Sequence, residues 1–181
     1  MCKLGSLLLV SCCIISVAQQ SPPASKTVSY SLGLIWENVA HDFAAMAEAM
    51  PEDRWNFKPT QGKFANVRTF GEQVKHVACA NEAWARKING DKKLPERCDL
   101  GGPNGATTKA EIIAYFHQSI HLMDDVIVST NLGNLQQSLP GPYFGDTRLA
   151  CLNAALWHMS DHYGQLVIYL RMNGLIPPAS Q

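Results

Sequence analysis

Charge is scarce in this chain and evenly balanced. Lys and Arg number 15, Asp and Glu number 15, and the formal net charge is zero. There is no basic patch and no acidic tail, so nothing asks for nucleic acid or for electrostatic steering of a partner. No segment carries the apolar–polar alternation of a half-buried strand. No internal repeat is present. A glycine-rich phosphate loop is missing, and so is a legible Ser-His-Asp or Cys-His nucleophile arrangement.

What is present is a chain of 181 residues, 46% of them hydrophobic, which suits one domain with an ordinary core. The opening "MCKLGSLLLVSCCIISVAQQ" has one cation at Lys3, then an apolar run, then small residues. That order is a secretory signal peptide, residues 1–18, with cleavage expected after Ala18. Leu9-Val10-Ser11 before Cys12 also resembles a lipobox, which would make Cys12 a lipidated N-terminus. The run is shorter than the roughly 20 residues that span a bilayer, which disfavours a transmembrane anchor. Residues 19–27 read as a flexible leader, and the domain occupies 28–181. Export, to the periplasm or the medium, would leave Cys79, Cys98 and Cys151 in an oxidising compartment. Cys79 with Cys98 is the easiest pair by separation, although spacing alone does not decide it.

Four segments have helical periodicity. The first runs from Val28 to Met50, with a stripe at Val28, Leu32, Ile35, Val39, Phe43, Met46 and Met50. His41 falls off the stripe. Asp42 falls on it, an unusual place for a carboxylate. The second opens at Thr69, where Glu72 three residues on completes a capping box, and stops at Asn89-Gly90. Its inner face holds Val77, Ala80, Ala83 and Trp84, with His76 beside them. The third opens at Thr108 with Glu111, a second capping box, and is expected to reach Leu132. Its stripe is Ile112, Phe116, Ile120, Met123 and Ile127. The fourth runs from Asp146 or Thr147 to Asn173, before Gly174 and Pro177-Pro178. Four amphipathic helices with long connections predict an all-α four-helix bundle.

The fourth helix contains "LWHMSDHYGQL", residues 156–166. At 3.6 residues per turn, His158 and His162 lie about 40° apart. Cys151, Ala154, Ala155, Gln165, Tyr169 and Met172 share their face, while Asn153, Ser160 and Arg171 lie away from it. Both rings therefore point inward, beside small alanines. A buried imidazole without partners for its nitrogens costs roughly 1–3 kcal/mol. Either ordinary hydrogen bonds satisfy the pair, or one divalent ion does. His117 and His121 have the same spacing on the third helix but sit at the edge of its stripe and beyond it, so they read as surface or boundary. His76, bordered by Cys79, Ala80 and Ala83, is the candidate third ligand.

"GEQVKHVACANEAW" and "ALWHMSDHYGQLVIYLRMNGLIPP", with "MPEDRWNFKPT" after the first helix, resemble the DinB/YfiT-like superfamily of metal-dependent enzymes. The likeness spans the chain from Val28 to Ser180. It implies a bundle of up-down-down-up order and a metal triad of one histidine on the second helix and two on the fourth, here His76, His158 and His162. It implies one divalent ion, nickel, zinc, manganese or iron. Three imidazoles suit several such ions, so the residues do not choose.

Three protein ligands leave a coordination position open, as at catalytic rather than structural sites. Such a position can activate water or hold a thiolate, and the resemblance implies hydrolases and thiol transferases alike. Low-molecular-weight thiols are largely cytosolic, so export favours a metal-dependent hydrolase acting on a small molecule. The alternatives are a metal-dependent thiol transferase and a non-catalytic exported metal-binding or stress-associated module. A homodimer is compatible with either. Asp42 is the candidate general base, or a partner to a ligand histidine; the bland reading is a carboxylate at the wet end of the bundle. Gln165 could orient a ligand. Trp55, Phe57, Tyr143 and Phe144 are loop aromatics placed either to meet substrate or to pack the loops down.

Overall fold

The computed structural model describes residues 26–95, 97–99, 101–141 and 143–181. The expected signal peptide, most of the leader and Cys12 lie outside the described residues. Four helices account for the fold: α1 (Val28–Ala49), α2 (Phe70–Asn89), α3 (Lys109–Val128) and α4 (Arg148–Met172). Among the described residues, extended backbone pairs only at a single antiparallel bridge, Ser138 with Thr147. No described helix is long and apolar enough to cross a membrane.

Each helix starts where a threonine can cap it. Thr27 and Thr147 accept from the backbone N–H groups of Tyr30 and Ala150. Thr69 with Glu72 and Thr108 with Glu111 form complete capping boxes. Each such cap contributes about 1 kcal/mol by satisfying an otherwise orphaned amide. Gly90, at φ 77°, closes α2 in the left-handed conformation that a side chain disfavours.

The order of the bundle follows from its end contacts. Lys109, at the start of α3, donates to the carbonyl of Met50, just past the end of α1. Trp36 Nε1 donates to Asp124 Oδ1 at the opposite end of the same pair, 3.0 Å away. Helices α1 and α3 are therefore antiparallel. Tyr169 near the end of α4 donates to the carbonyl of Arg68, just before α2, and Lys87 near the end of α2 donates to the carbonyl of Tyr143, just before α4. Arg148 at the start of α4 reaches Thr130, just past α3. So α4 opposes both α2 and α3, and the order is up-down-down-up. Helices α1 and α2 stand diagonally across the bundle, each touching α3 and α4.

The core is built from Phe43, Met46, Phe70, Val74, Phe116, Met123, Met159, Leu166 and Leu170, all fully buried. Phe43 and Phe116 stack with centroids 4.8 Å apart. Three expectations need correction. The inner face of α1 is turned towards Trp36, Ala40, Phe43 and Ala47, and Ile35 is exposed; at this end of α1 it is Gly33 and Trp36 that face α3, beside Ile127 and Asp124. Helix α3 stops at Val128 rather than Leu132, since Ser129 and Thr130 turn their hydroxyls back onto the carbonyl of Val126. Met172 is exposed in the last turn of α4, beyond the end of the packed face.

Candidate metal centre

Helices α2 and α4 pack side by side, and three histidines meet between them. His158 and His162 are four residues apart on α4, and small neighbours, Ala154 and Ala155, are buried one turn before them. His76 faces them from α2, next to the buried Cys79 and Ala80. His76 Nε2 lies 3.0 Å from His158 Nε2, which lies 3.2 Å from His162 Nε2. One ligand nitrogen from each of the three falls within 4.8 Å of the other two.

This cluster is poorly satisfied by protons alone. His76 Nδ1 donates to the Cys98 carbonyl at 2.5 Å when it carries its proton, which leaves Nε2 as a bare lone pair. At most one proton can lie along a hydrogen bond at His158 Nε2, donated by it or accepted by it, so one of the two short nitrogen–nitrogen contacts is left without a hydrogen bond. Among the described residues, the buried Nδ1 atoms of His158 and His162 have no hydrogen-bond partner. Ligands 2.0–2.1 Å from one ion lie about 2.9–3.4 Å apart at angles between about 90° and 109°. The two short separations fall in that range. The residues present fit a divalent ion held by three imidazoles.

The electrostatics keep the rings neutral, as ligation requires. Burial foremost, then the neighbouring His162 and His76, pushes His158 down to about 3. Burial and then His76 push His162 down to about 4. Burial lowers His76 as well, partly offset by the Cys98 carbonyl. The guanidinium of Arg68 depresses all three.

Other candidates fall elsewhere. His117 and His121 are exposed, and His121 Nδ1 lies 3.8 Å from Asp124. Asp42 is not in the histidine group. Its carboxylate is half exposed and meets His41 of its own helix at 3.5 Å. The reason is topological: α1 lies diagonally opposite α2, which carries His76, and Asp42 sits at the edge of the buried arc of α1 rather than within it. Gln165 is engaged by its neighbours, accepting from Gln73 and donating to Asp161. Trp55 is a core residue packed edge-on to Phe70, and Phe57 packs edge-on to Tyr169. Tyr143 donates to the Pro95 carbonyl, and Phe144 is exposed.

The aromatic beside the site is Trp84, whose ring centroid is 5.2 Å from that of His158. Sequence reasoning placed it in the core without linking it to the histidines. Gln73, one turn before His76, was legible by the same helical spacing that selected Gln165. Arg68 and Asp99 sit in loops, whose placement helical periodicity does not reach.

Comparison with known proteins agrees with this fold. A crystal structure of a conserved protein from Enterococcus faecalis superposes with a TM-score of 0.64 at 14% identity, over 81% of this chain and 97% of that one. At that identity the likeness concerns the fold alone. No curated protein matches the chain by sequence. The model of one family, the DinB superfamily, matches residues 35–166, a span that covers α2 and α3, most of α1 and α4, and the three histidines. With its helices in that order and its histidines gathered between the second and the fourth, this chain belongs to the DinB superfamily.

Proposed function

We propose that the protein binds one divalent transition metal through Nε2 of His76, His158 and His162, and that it is an exported hydrolase acting on a small molecule. The convergence of three neutral imidazole nitrogens carries the metal reading. A bound divalent ion supplies Lewis acidity at whatever position the three histidines leave open. The chain's own residues do the rest. Burial keeps all three rings unprotonated near neutral pH. The Cys98 carbonyl sets the tautomer of His76. The Gln73–Gln165 hydrogen bond, 2.7 Å long, ties α2 to α4 one turn from the ligands. Trp84 covers one side of His158 and limits water there. Arg68 places a cation beside the site, which favours an anionic group on the substrate.

The Cys79–Cys98 disulfide supports export, since such bonds persist in oxidising compartments. An oxidising medium is poor in the small thiols that a thiol transferase needs, which ranks hydrolysis above that alternative. The test is elemental analysis of the purified protein, followed by a panel of ester, amide and phosphoester substrates with and without chelator. Stoichiometric metal and chelator-sensitive hydrolysis are expected. Turnover only after a low-molecular-weight thiol is added would replace hydrolysis with thiol transfer. Metal without any turnover would leave a binding module.

A further inference from the structure

We infer that the Cys79–Cys98 disulfide positions a metal ligand: it holds the Cys98 carbonyl where it orients His76 and fixes its tautomer. The inference rests on the three-histidine reading above.

His76 and Cys79 are three residues apart on α2, one turn along the same side of the helix. Cys98, in the loop between α2 and α3, is joined to both. Its sulfur is bonded to Cys79, and its carbonyl accepts from His76 Nδ1 at 2.5 Å. One residue thus carries the covalent tie and the hydrogen bond that sets the ring. The loop lies flat on α2 at this point. Gly101 and Gly102 adopt φ of +93° and +68°. A Cβ on Gly101 would stand 2.2 Å from Lys75 Cγ, and one on Gly102 would stand 2.4 Å from Cys79 Sγ. Arg68 Nε donates to the Asp99 carbonyl, a further, non-covalent tie.

The three ligands differ in what orients them. His158 and His162 sit on α4, and among the described residues their Nδ1 atoms have no hydrogen-bond partner. Among the described residues, His76 alone of the three has a protein acceptor for Nδ1, so its tautomer is set before any ion arrives. A neutral imidazole has one N–H. Held on Nδ1 by the Cys98 carbonyl, that proton leaves the Nε2 lone pair aimed at His158 and His162. Without the disulfide, the carbonyl is released with its loop, and His76 divides its time between tautomers and ring orientations. Loss of such an outer partner typically weakens metal binding 10–100-fold.

Two measurements test this. In the oxidised, metal-free protein, long-range proton–nitrogen NMR of the histidine rings should show His76, assigned by its loss in His76→Gln, with the proton on Nδ1. Reduction with a water-soluble phosphine should abolish that single-tautomer signal while the helical circular dichroism is kept. In parallel, zinc titration of the Cys79→Ser/Cys98→Ser variant, in which neither thiol is left to compete as a ligand, should give a Kd 10–100-fold above that of the oxidised protein. An unchanged tautomer on reduction, or an unchanged zinc Kd in the serine variant, would overturn the inference. So would loss of helix on reduction, because the bond would then hold the fold rather than one ring. If the serine variant does not fold, the NMR result on the reduced protein decides. Failure of the oxidised protein to bind zinc would instead sink the metal reading, and the tautomer measurement would still say whether the disulfide governs His76.

Discussion

Nε2 of His158 sits 3.0 Å from Nε2 of His76, the two rings belonging to helices that run in opposite directions and to residues 82 positions apart. Two bare imidazole nitrogens at that separation repel unless a proton or a cation lies between them. His162 Nε2, 3.2 Å from the same atom, makes one shared proton insufficient.

Removing that central ring should remove the metal. His158→Ala should lose most of the bound ion, because two remaining imidazoles hold a divalent cation weakly. His121→Ala should retain it, since His121 is exposed on α3. Metal per chain, measured by mass spectrometry of the purified variants, checks this. Equal metal in both would sink the three-histidine site.

Acid should destabilise the metal-free fold through the same rings. His158 is held near 3 by burial and the neighbouring His162 and His76, and His162 near 4 by burial and His76, against about 6.5 in the unfolded chain. Their folded values are depressed, so below about pH 6.5 the unfolded state binds more protons than the folded state. The stability is fully present above pH 6.5 and drains away as pH falls towards 4 and then 3. Urea midpoints of the chelated protein should drop from pH 7 to pH 4.5, and His158→Gln/His162→Gln should flatten that drop. An equal acid loss in the variant would assign it to carboxylates elsewhere.

Asp42→Asn should leave bound metal and the melting temperature unchanged. The carboxylate is half exposed and its contact is His41 beside it, so the change falls in the class of surface substitutions worth less than about 0.5 kcal/mol. A loss of metal in this variant would return Asp42 to the site.

Two helical glycines should respond oppositely to alanine. A Cβ on Gly71 would stand 2.3 Å from Trp55 Nε1, whose ring is buried against Phe70, so Gly71→Ala should cost about 1–3 kcal/mol by overpacking. Gly164, on the exposed side of α4, has nothing among the described residues within 4 Å of its Cβ position, and Gly164→Ala should add roughly 0.5–1 kcal/mol. Chemical denaturation of both variants gives the comparison.

Thiol counting tests the leader. Six cysteines occur in the chain; Cys79 and Cys98 are bonded and Cys151 is free and buried. Cleavage after Ala18 removes Cys2, Cys12 and Cys13. Unfolded, non-reduced exported protein should then titrate one thiol and begin at Gln19 by mass. A mass matching an acylated Cys12 would favour the lipoprotein reading.

The sequence by itself determined what is local. Helix starts were legible because Thr69 with Glu72 and Thr108 with Glu111 satisfy amides three residues away. The inward turn of His158 and His162 was legible because both sit on one helix, where 3.6 residues per turn settles their common face. The same periodicity kept His117 and His121 outside. Helix-to-helix placement was a different matter, and only the tertiary structure decided it. Periodicity along α1 put Asp42 on an apolar stripe, but α1 stands across the bundle from α2, so its carboxylate does not enter the histidine group. Periodicity along α2 could put His76 near an inner face. Only the antiparallel packing of α2 on α4 brings it level with His158, and only the path of the loop at Cys98 fixes which of its nitrogens looks inward. A helix repeats every few residues and so announces its own faces. Which face meets which neighbour, and at what height, depends on side chains far apart in the chain filling a common space.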